Sequence, residues 1–460
     1  MIRRRAWLPT IALAAGPLLP AAAQEPPATS PGSSPASRPA AEAPPLDAHG
    51  YLDLRYRYRS VPGEARDQDL FGAFGVRSSL PGVGEKDLRV EASGSFVWDL
   101  DEFPDGGSPF AGLPETFGDR FHAYLYEAYG EIDPVGPVRR LRAGRQFLWK
   151  EEGIRFDGLY AEAAASGGAE ISVYGGVPVH FYESSRDGDL LAGAGVALRP
   201  WRRVRVSLDE IYVRDARDVP GVPSLEGDLL SVLGVEGSFD PRLLLRGSFS
   251  WLDAKERRQV VDAAFLDPPS GARVNLRLVR QNQFSEIPVT EFSPFVATLG
   301  VYEPFFQWQV DGGGPLVGSL DLAAGYARRR LIEGAEEGLF NHEFDHAYAI
   351  ATLGACPWPS TSLHLRGDGW NGGGRDLVAV GGGLEARLGE KKEWRGEIGT
   401  DYALYRVDVQ TGQERLDDRR FYGRVRRKIG ERLDFGIGYR YEVDDIDRYH
   451  VADVVLGIRF

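Results

Sequence analysis

The chain of 460 residues contains one cysteine and one methionine. Cys356 alone cannot close an intramolecular disulfide, and it has no CxxC partner. Haem attachment and cysteine-held zinc or iron–sulfur sites are thereby excluded. Long apolar runs are missing too. Beyond the N-terminal stretch no segment approaches the ~18 consecutive apolar residues that a membrane helix needs. An excess of positive charge is also absent, with 54 Lys and Arg against 67 Asp and Glu and a net charge of -13. That balance argues against nucleic acid as a partner. No serine sits in a G-x-S-x-G nucleophile elbow.

What is present is alternation. In the stretch from Gly50 to Arg59, Leu52, Leu54, Tyr56 and Tyr58 share one face of an extended strand. Asp53, Arg55, Arg57 and Arg59 share the other. Period-two patterning is the β signal, and four charges on one face mean that face is wet. The pattern returns at Leu88–Phe96, at Trp394–Leu404 and at Leu433–Glu442. Two kinds of connection separate these runs. Tight Pro/Gly-rich turns start at Pro81, Asp133, Ser166, Arg199, Asp240 and Asp267. Longer, more acidic connections run over Leu100 to Asp119 and Asp215 to Asp228. Counting runs between turns gives about 22 strands, within a range of 18 to 22. Trp98, Trp149, Trp201, Trp251 and Trp394 fall near strand ends, where an aromatic girdle would lie. Ser285 to Pro304 lacks alternation and reads as an extracellular loop or one folded inward.

The N-terminus has the layout of a secretory signal peptide: Arg3, Arg4 and Arg5, an apolar run from Ala6 to Leu19, and a small-residue cleavage site at Ala21 to Ala23. Residues 24–48 are rich in Pro, Ala and Ser with little to bury, and read as a disordered linker. The folded part is expected to be one domain over residues 49–460.

The last ten residues, Val451 to Phe460, place Ala452, Val454, Leu456, Ile458 and Phe460 on one strand face. This ending resembles the C-terminal signal of Gram-negative outer-membrane β-barrels, read by the insertion machinery. The resemblance implies an all-β fold, a transmembrane antiparallel up-and-down barrel, with its short turns periplasmic. It also implies outer-membrane lipid and lipopolysaccharide as surroundings. The stretch holding Arg142 and Arg145, followed by Arg155, Asp157, Gly158 and Tyr160, resembles a hairpin of several porins and carries no ligand over.

The motifs that could do chemistry are weak. His342, Glu343 and His346 match H-E-x-x-H, but that zinc motif needs a helix. On a strand the two histidines stand ~13 Å apart, too far to share a metal. Asp99, Asp101, Glu102 and Asp105 form an acidic loop without EF-hand spacing. No cofactor, no metal and no enzyme activity is expected.

The remaining constellation is the charged strand face. Arg55, Arg57, Arg59, Arg142, Arg205, Arg277, Arg366, Arg424 and Arg426 are the cationic pore-lining candidates, with Arg273 beside them. Glu91, Glu127 and Glu397 are the acidic ones, with Glu131, Asp368, Glu385 and Glu442 beside them. Two readings of this face stand: a cross-strand network that packs the wall, and an arginine field that favours anions. The expected function is a porin-like channel for passive diffusion of small hydrophilic solutes. The alternatives are an exporter of an anionic polysaccharide and a barrel that sheathes a partner. Oligomerisation is left open.

Overall fold

The computed structural model describes residues 47–460 other than 64–65, 81–87, 102–119, 133–135, 150–152, 180–187, 216–224, 283–303, 333–334, 336–342, 373–374, 408–413 and 445–446. The expected signal peptide and residues 24–46 of the expected linker lie outside the described residues, as does nearly all of Ser285–Pro304, while Asp47 and Ala48 already belong to the first strand. The strands are β1 (Asp47–Ser60), β2 (Arg66–Leu80), β3 (Leu88–Asp99), β4 (Phe121–Ile132), β5 (Val138–Trp149) and β6 (Gly153–Ala164). Next come β7 (Glu170–Pro178), β8 (Leu190–Trp201), β9 (Val204–Asp215), β10 (Leu225–Asp240), β11 (Leu243–Leu252) and β12 (Lys255–Asp267). Then follow β13 (Ala272–Gln281), β14 (Phe305–Val317), β15 (Leu320–Leu331), β16 (Phe344–Gly354) and β17 (Thr361–Gly372). The last five are β18 (Arg375–Leu388), β19 (Trp394–Val407), β20 (Glu414–Ile429), β21 (Leu433–Val443) and β22 (Arg448–Arg459).

Each strand pairs antiparallel with its sequence neighbours, and β1 also pairs with β22, so the 22-stranded sheet closes on itself. The closing seam runs in register from Tyr51↔Arg459 to Ser60↔His450. It ends in a reciprocal pair of backbone bonds, Gly50 N to Phe460 O at 2.8 Å and Phe460 N to Gly50 O at 3.1 Å. The terminal aromatic residue thus pairs backbone with the first strand and lays its ring against Gly50, where an added Cβ would meet ring carbons at 2.5 Å.

Alternation carries around the ring, with β-bulges that shift the parity inside single strands, as at Tyr126 on β4 between Leu125 and Glu127. Leu52, Leu54, Tyr56 and Tyr58 sit opposite Ile458, Leu456, Val454 and Ala452. Asp53, Arg55 and Arg57 sit opposite Gly457, Val455 and Asp453. The first set belongs to the convex side, where side chains splay and stay exposed: Leu159, Val173, Val380, Ile398 and Phe421 are all more than half exposed. The second set belongs to the concave side, where carboxylates such as Asp67, Asp69, Asp418 and Glu442 are buried. Aromatic rings cover glycines on neighbouring strands, Tyr51 over Gly75 and Tyr348 over Gly325 inside, Phe96 over Gly72 outside.

The connections sort by side as the turn pattern indicates. All those from an even to an odd strand are at most seven residues long and share a side with both chain ends. Those on the other side reach 23 residues. The five tryptophans lie in the first or last two positions of their strands, and Trp98 meets Phe121 edge-on at 6.3 Å.

One sector departs from a uniformly polar interior. On the concave side of β5 to β11, Phe156, Leu191, Ile211, Val213, Leu230, Val232 and Leu252 form a buried apolar cluster, with Phe156 and Leu191 fully enclosed. The reason lies in composition: these strands carry apolar residues at both parities, so alternation alone could not assign their wetter face.

The glycine under the terminal ring gives a direct test. Gly50→Leu forces a side chain into Phe460 and to 2.8 Å from the Gly75 carbonyl, and overpacking of this kind costs about 1–3 kcal/mol. The variant is expected to refold less completely and to unfold at lower urea, followed by tryptophan fluorescence, than the parent chain.

Candidate functional site: the charged inner wall

The inner wall is built by cross-strand register. Because the side-chain period is two, each inward charge faces an inward residue on both flanking strands. At the closing seam, Arg55 Nε donates to Asp453 Oδ1 at 2.7 Å and Arg57 Nε to the same oxygen at 3.4 Å. Arg57 also lies over the Phe71 ring, 4.8 Å from its centroid. Arg59 holds Asp67 at 2.6 Å and Asp69 at 3.1 Å. A single carboxylate thus anchors two guanidinia across the point where the two ends of the sheet meet.

The other candidates repeat this design. Arg142 donates to Glu131 and lies over the Tyr129 ring. Glu131 also receives Arg89 at 3.6 Å and Arg140 at 3.5 Å. Glu91 takes Arg77 at 2.8 Å and the Tyr129 hydroxyl at 2.9 Å. Glu127 accepts from the Phe147 backbone N–H. Arg205 stands 3.9 Å from Glu170, and Arg277 stands 3.7 Å from Asp262. Arg366 is bidentate to Asp368, at 2.7 and 3.0 Å. Glu385 joins Arg387 and Arg395, and Glu442 joins Arg440 at 2.6 Å. Arg273 faces inward beside Leu266 and Gly313.

The arrangement is denser on β19 and β20. Arg395, Glu397, Arg424 and Arg426 line one small cleft. Arg424 reaches Glu397 at 2.6 Å, whereas Arg426 forms no ion pair among the described residues. Arg395 reaches Glu385 at 2.7 Å, so of the three guanidinia in the cleft Arg426 is the one left over, and the local balance is cationic. Both readings of the charged face have a physical basis here: most charges are paired across strands, and this cleft retains a surplus.

The residues flagged for other chemistry fall differently. Within H-E-F-D-H, Phe344 to His346 lie on β16, and His342 lies outside the described residues. His346 stacks on Trp370 at 3.7 Å and bonds Asp368 at 3.1 Å. Among the described residues no group of three or more His, Cys, Asp or Glu side chains could hold a metal ion. Asp99 is fully buried at the end of β3 and accepts from the Asp101 N–H, while Glu102 and Asp105 lie outside the described residues.

Two features were not read from the sequence. Asp453 as a shared anchor requires the β1–β22 register, which follows once Phe460 is set opposite Gly50. The second is the β4–β5 seam, whose ladder has only five register pairs, Ala128↔Arg145 to Ile132↔Leu141. Beyond its end Arg145 donates to Asp157 at 2.7 and 2.8 Å and to the Leu125 carbonyl at 3.2 Å. Gly144, at φ +122°, makes the bend that lets it do so. The porin-like hairpin motif is thus a backbone repair, in which side chains supply partners that the ladder omits.

No protein-family profile matches the chain, and no curated protein matches it. Solved structures do. The P pilus usher (PapC) translocation pore aligns with a TM-score of 0.51 at 9% identity, covering 90% of this chain and 99% of that one. OccK5 (OpdH) of Pseudomonas aeruginosa aligns at 0.41 and 11% identity, covering 90% and 98%. A BenF-like porin from Pseudomonas fluorescens Pf-5 aligns at 0.41 and 10% identity, also covering 90% and 98%. What the usher comparison shows is a shared fold. That fold is a closed β-barrel.

The repair at β4–β5 can be measured. Arg145→Ala leaves Asp157 without its cation and Leu125 O without its donor, and stability should fall by about 1–3 kcal/mol. In urea titrations Arg145→Ala combined with Asp157→Ala is expected to recover part of that loss; equal stability of Arg145→Ala and parent would contradict the assignment.

Proposed function

We propose that the protein is a porin-like channel of the Gram-negative outer membrane, passing small hydrophilic solutes by passive diffusion along its charged inner wall. The observation that carries this reading is a closed 22-stranded ring whose register gathers most apolar side chains on the convex face and most charged ones on the concave face. In hydrocarbon a spanning sheet must leave no edge, which closure provides. A ring of this many strands is wide enough for an aqueous interior unless something fills it. The apolar cluster inside β5–β11 removes part of that section, which leaves the arginine-rich wall of β17 to β22 and β1 as the polar route.

The mechanism follows from where the charges are fixed. Paired guanidinia and carboxylates hold the wall rigid and offer a hydrated solute alternating donors and acceptors. The surplus around Arg426 adds a local preference for anions. Planar bilayers with the purified protein should show stepwise conductance. Arg424→Ala with Arg426→Ala should shift the reversal potential in a salt gradient toward cations. Absence of discrete steps in a correctly folded preparation would contradict the channel.

A second reading has one observation in its favour. Three guanidinia gathered in one cleft, with Arg426 unpaired among the described residues, also suit an extended polyanion, so export of an anionic polysaccharide is the alternative. An anionic oligosaccharide should then block the current increasingly with chain length, and deletion of the protein should reduce secreted polymer. Simple anion selectivity without length dependence keeps the diffusion channel.

A further inference from the structure

On the outside of the ring, β17 to β21 line a shallow, open apolar hollow of about 590 Å³. Its floor is glycine: Gly382 stands opposite Leu365 and Thr400, and Gly423 opposite Ile398 and Tyr439. The surrounding rims are among the most exposed large apolar side chains on this face, Leu365 at 52%, Ile398 at 63% and Phe421 at 51%. A hollow in a lipid-facing wall forfeits dispersion contacts unless a chain fills it.

Directly beyond the hollow, toward the side of the long connections, the outward face turns cationic. Arg419 precedes Phe421 by two residues, about 7 Å along the strand. Its pairing with Tyr402 and Val443 sets it outward, and its guanidinium lies 5.4 Å from the Tyr402 ring centroid. Arg448, also opposite Val443, and Arg66, opposite Ser60, share that face and that end. His450 stands between them, 2.6 Å from the Tyr439 hydroxyl. Arg66, Arg419 and Arg448 form no ion pair among the described residues.

Other outward arginines divide in two: Arg214 on β9 and Arg280 on β13 also form no ion pair among the described residues but stand singly, whereas others are neutralised. Arg330 holds Asp345 at 2.6 Å, with Arg328 at 3.6 Å from it, and Arg145 is bidentate to Asp157. The sector from β20 to β2 is thus a run of outward guanidinia left un-neutralised at the level where hydrocarbon meets water. From β20 to β22 is two strand spacings, about 10 Å, and on to β2 about 10 Å more. A headgroup bearing more than one phosphate fits that spread better than one bearing a single phosphate, because guanidinia bind phosphate oxygens in pairs.

We infer that this sector binds one molecule of a phosphorylated, multiply acylated glycolipid of the outer leaflet, lipopolysaccharide. Its phosphates rest on Arg66, Arg419 and Arg448, and one acyl chain lies in the hollow over Gly382 and Gly423. The inference shares with the proposed function the placement of the short-turn side in the periplasm, and it does not depend on conduction.

The test uses the full barrel folded in detergent, native mass spectrometry, and three lipids: lipid A carrying both phosphates, its dephosphorylated form, and phosphatidylglycerol. One bisphosphorylated lipid A per barrel should remain bound, with the other two lipids at least tenfold weaker. Arg66→Ala, Arg419→Ala and Arg448→Ala together should weaken it at least tenfold, and Gly423→Leu, which fills the hollow from an open position, should weaken it as well. Heat-modifiable electrophoretic mobility verifies that each variant is folded. Equal binding of phosphatidylglycerol, or unchanged binding by the folded triple variant, overturns the site. A barrel that binds lipid A but conducts nothing upholds the site and removes the channel; one that conducts and binds no lipid A does the reverse.

Discussion

The interaction on which everything else depends is the two-bond exchange between Gly50 and Phe460. A sheet in hydrocarbon cannot leave backbone donors and acceptors open, because water is not there to satisfy them. Antiparallel pairing of neighbours satisfies all the strands but the first and last, and only their meeting completes the ladder. Once they meet, the sides are fixed around the whole ring, since a slip of one residue would turn the inward arginines of a strand outward. The charged interior is therefore a consequence of closure and not an independent property of each strand.

Closure also explains why the wall holds so many ion pairs. Inward side chains converge, and carboxylates as enclosed as Asp67 and Asp418 would be costly without partners. Register supplies such partners from the adjacent strand, as Arg59 does for Asp67 and Asp69, and the same strand supplies others two residues along, as Arg420 does for Asp418. Where the ladder itself lapses, at β4–β5, the same chemistry substitutes for it: Arg145 and Glu127 bond backbone groups that no strand reaches. Among the described residues, the charges that pairing leaves over include Arg426 inside and the outward arginines of the β20–β2 rim.

Much of this was legible in the sequence because it depends on period two. The strand number, the sorted turns, the tryptophans at strand ends and the inward arginines all follow from local alternation and turn residues. Three things were not legible, each for a physical reason. The shared role of Asp453 depends on contacts about 400 residues apart in the chain, which only closure brings together. The inner apolar cluster sits on strands that are apolar at both parities, so no pattern separates their faces. The hollow over Gly382 and Gly423 comes from glycines that read as weak strand positions, and its meaning appears only when five strands are laid side by side.

The central claim is that one strand face meets hydrocarbon and the other meets water inside a closed ring. Spin labels placed one at a time from Ala452 to Ile458 on β22, with the protein in lipid bilayers, test it most directly. Collision with oxygen should peak at Ala452, Val454, Leu456 and Ile458, and collision with a water-soluble nickel chelate should peak at Asp453, Val455 and Gly457. Accessibility to the chelate at every position, without a two-residue period, would contradict the account.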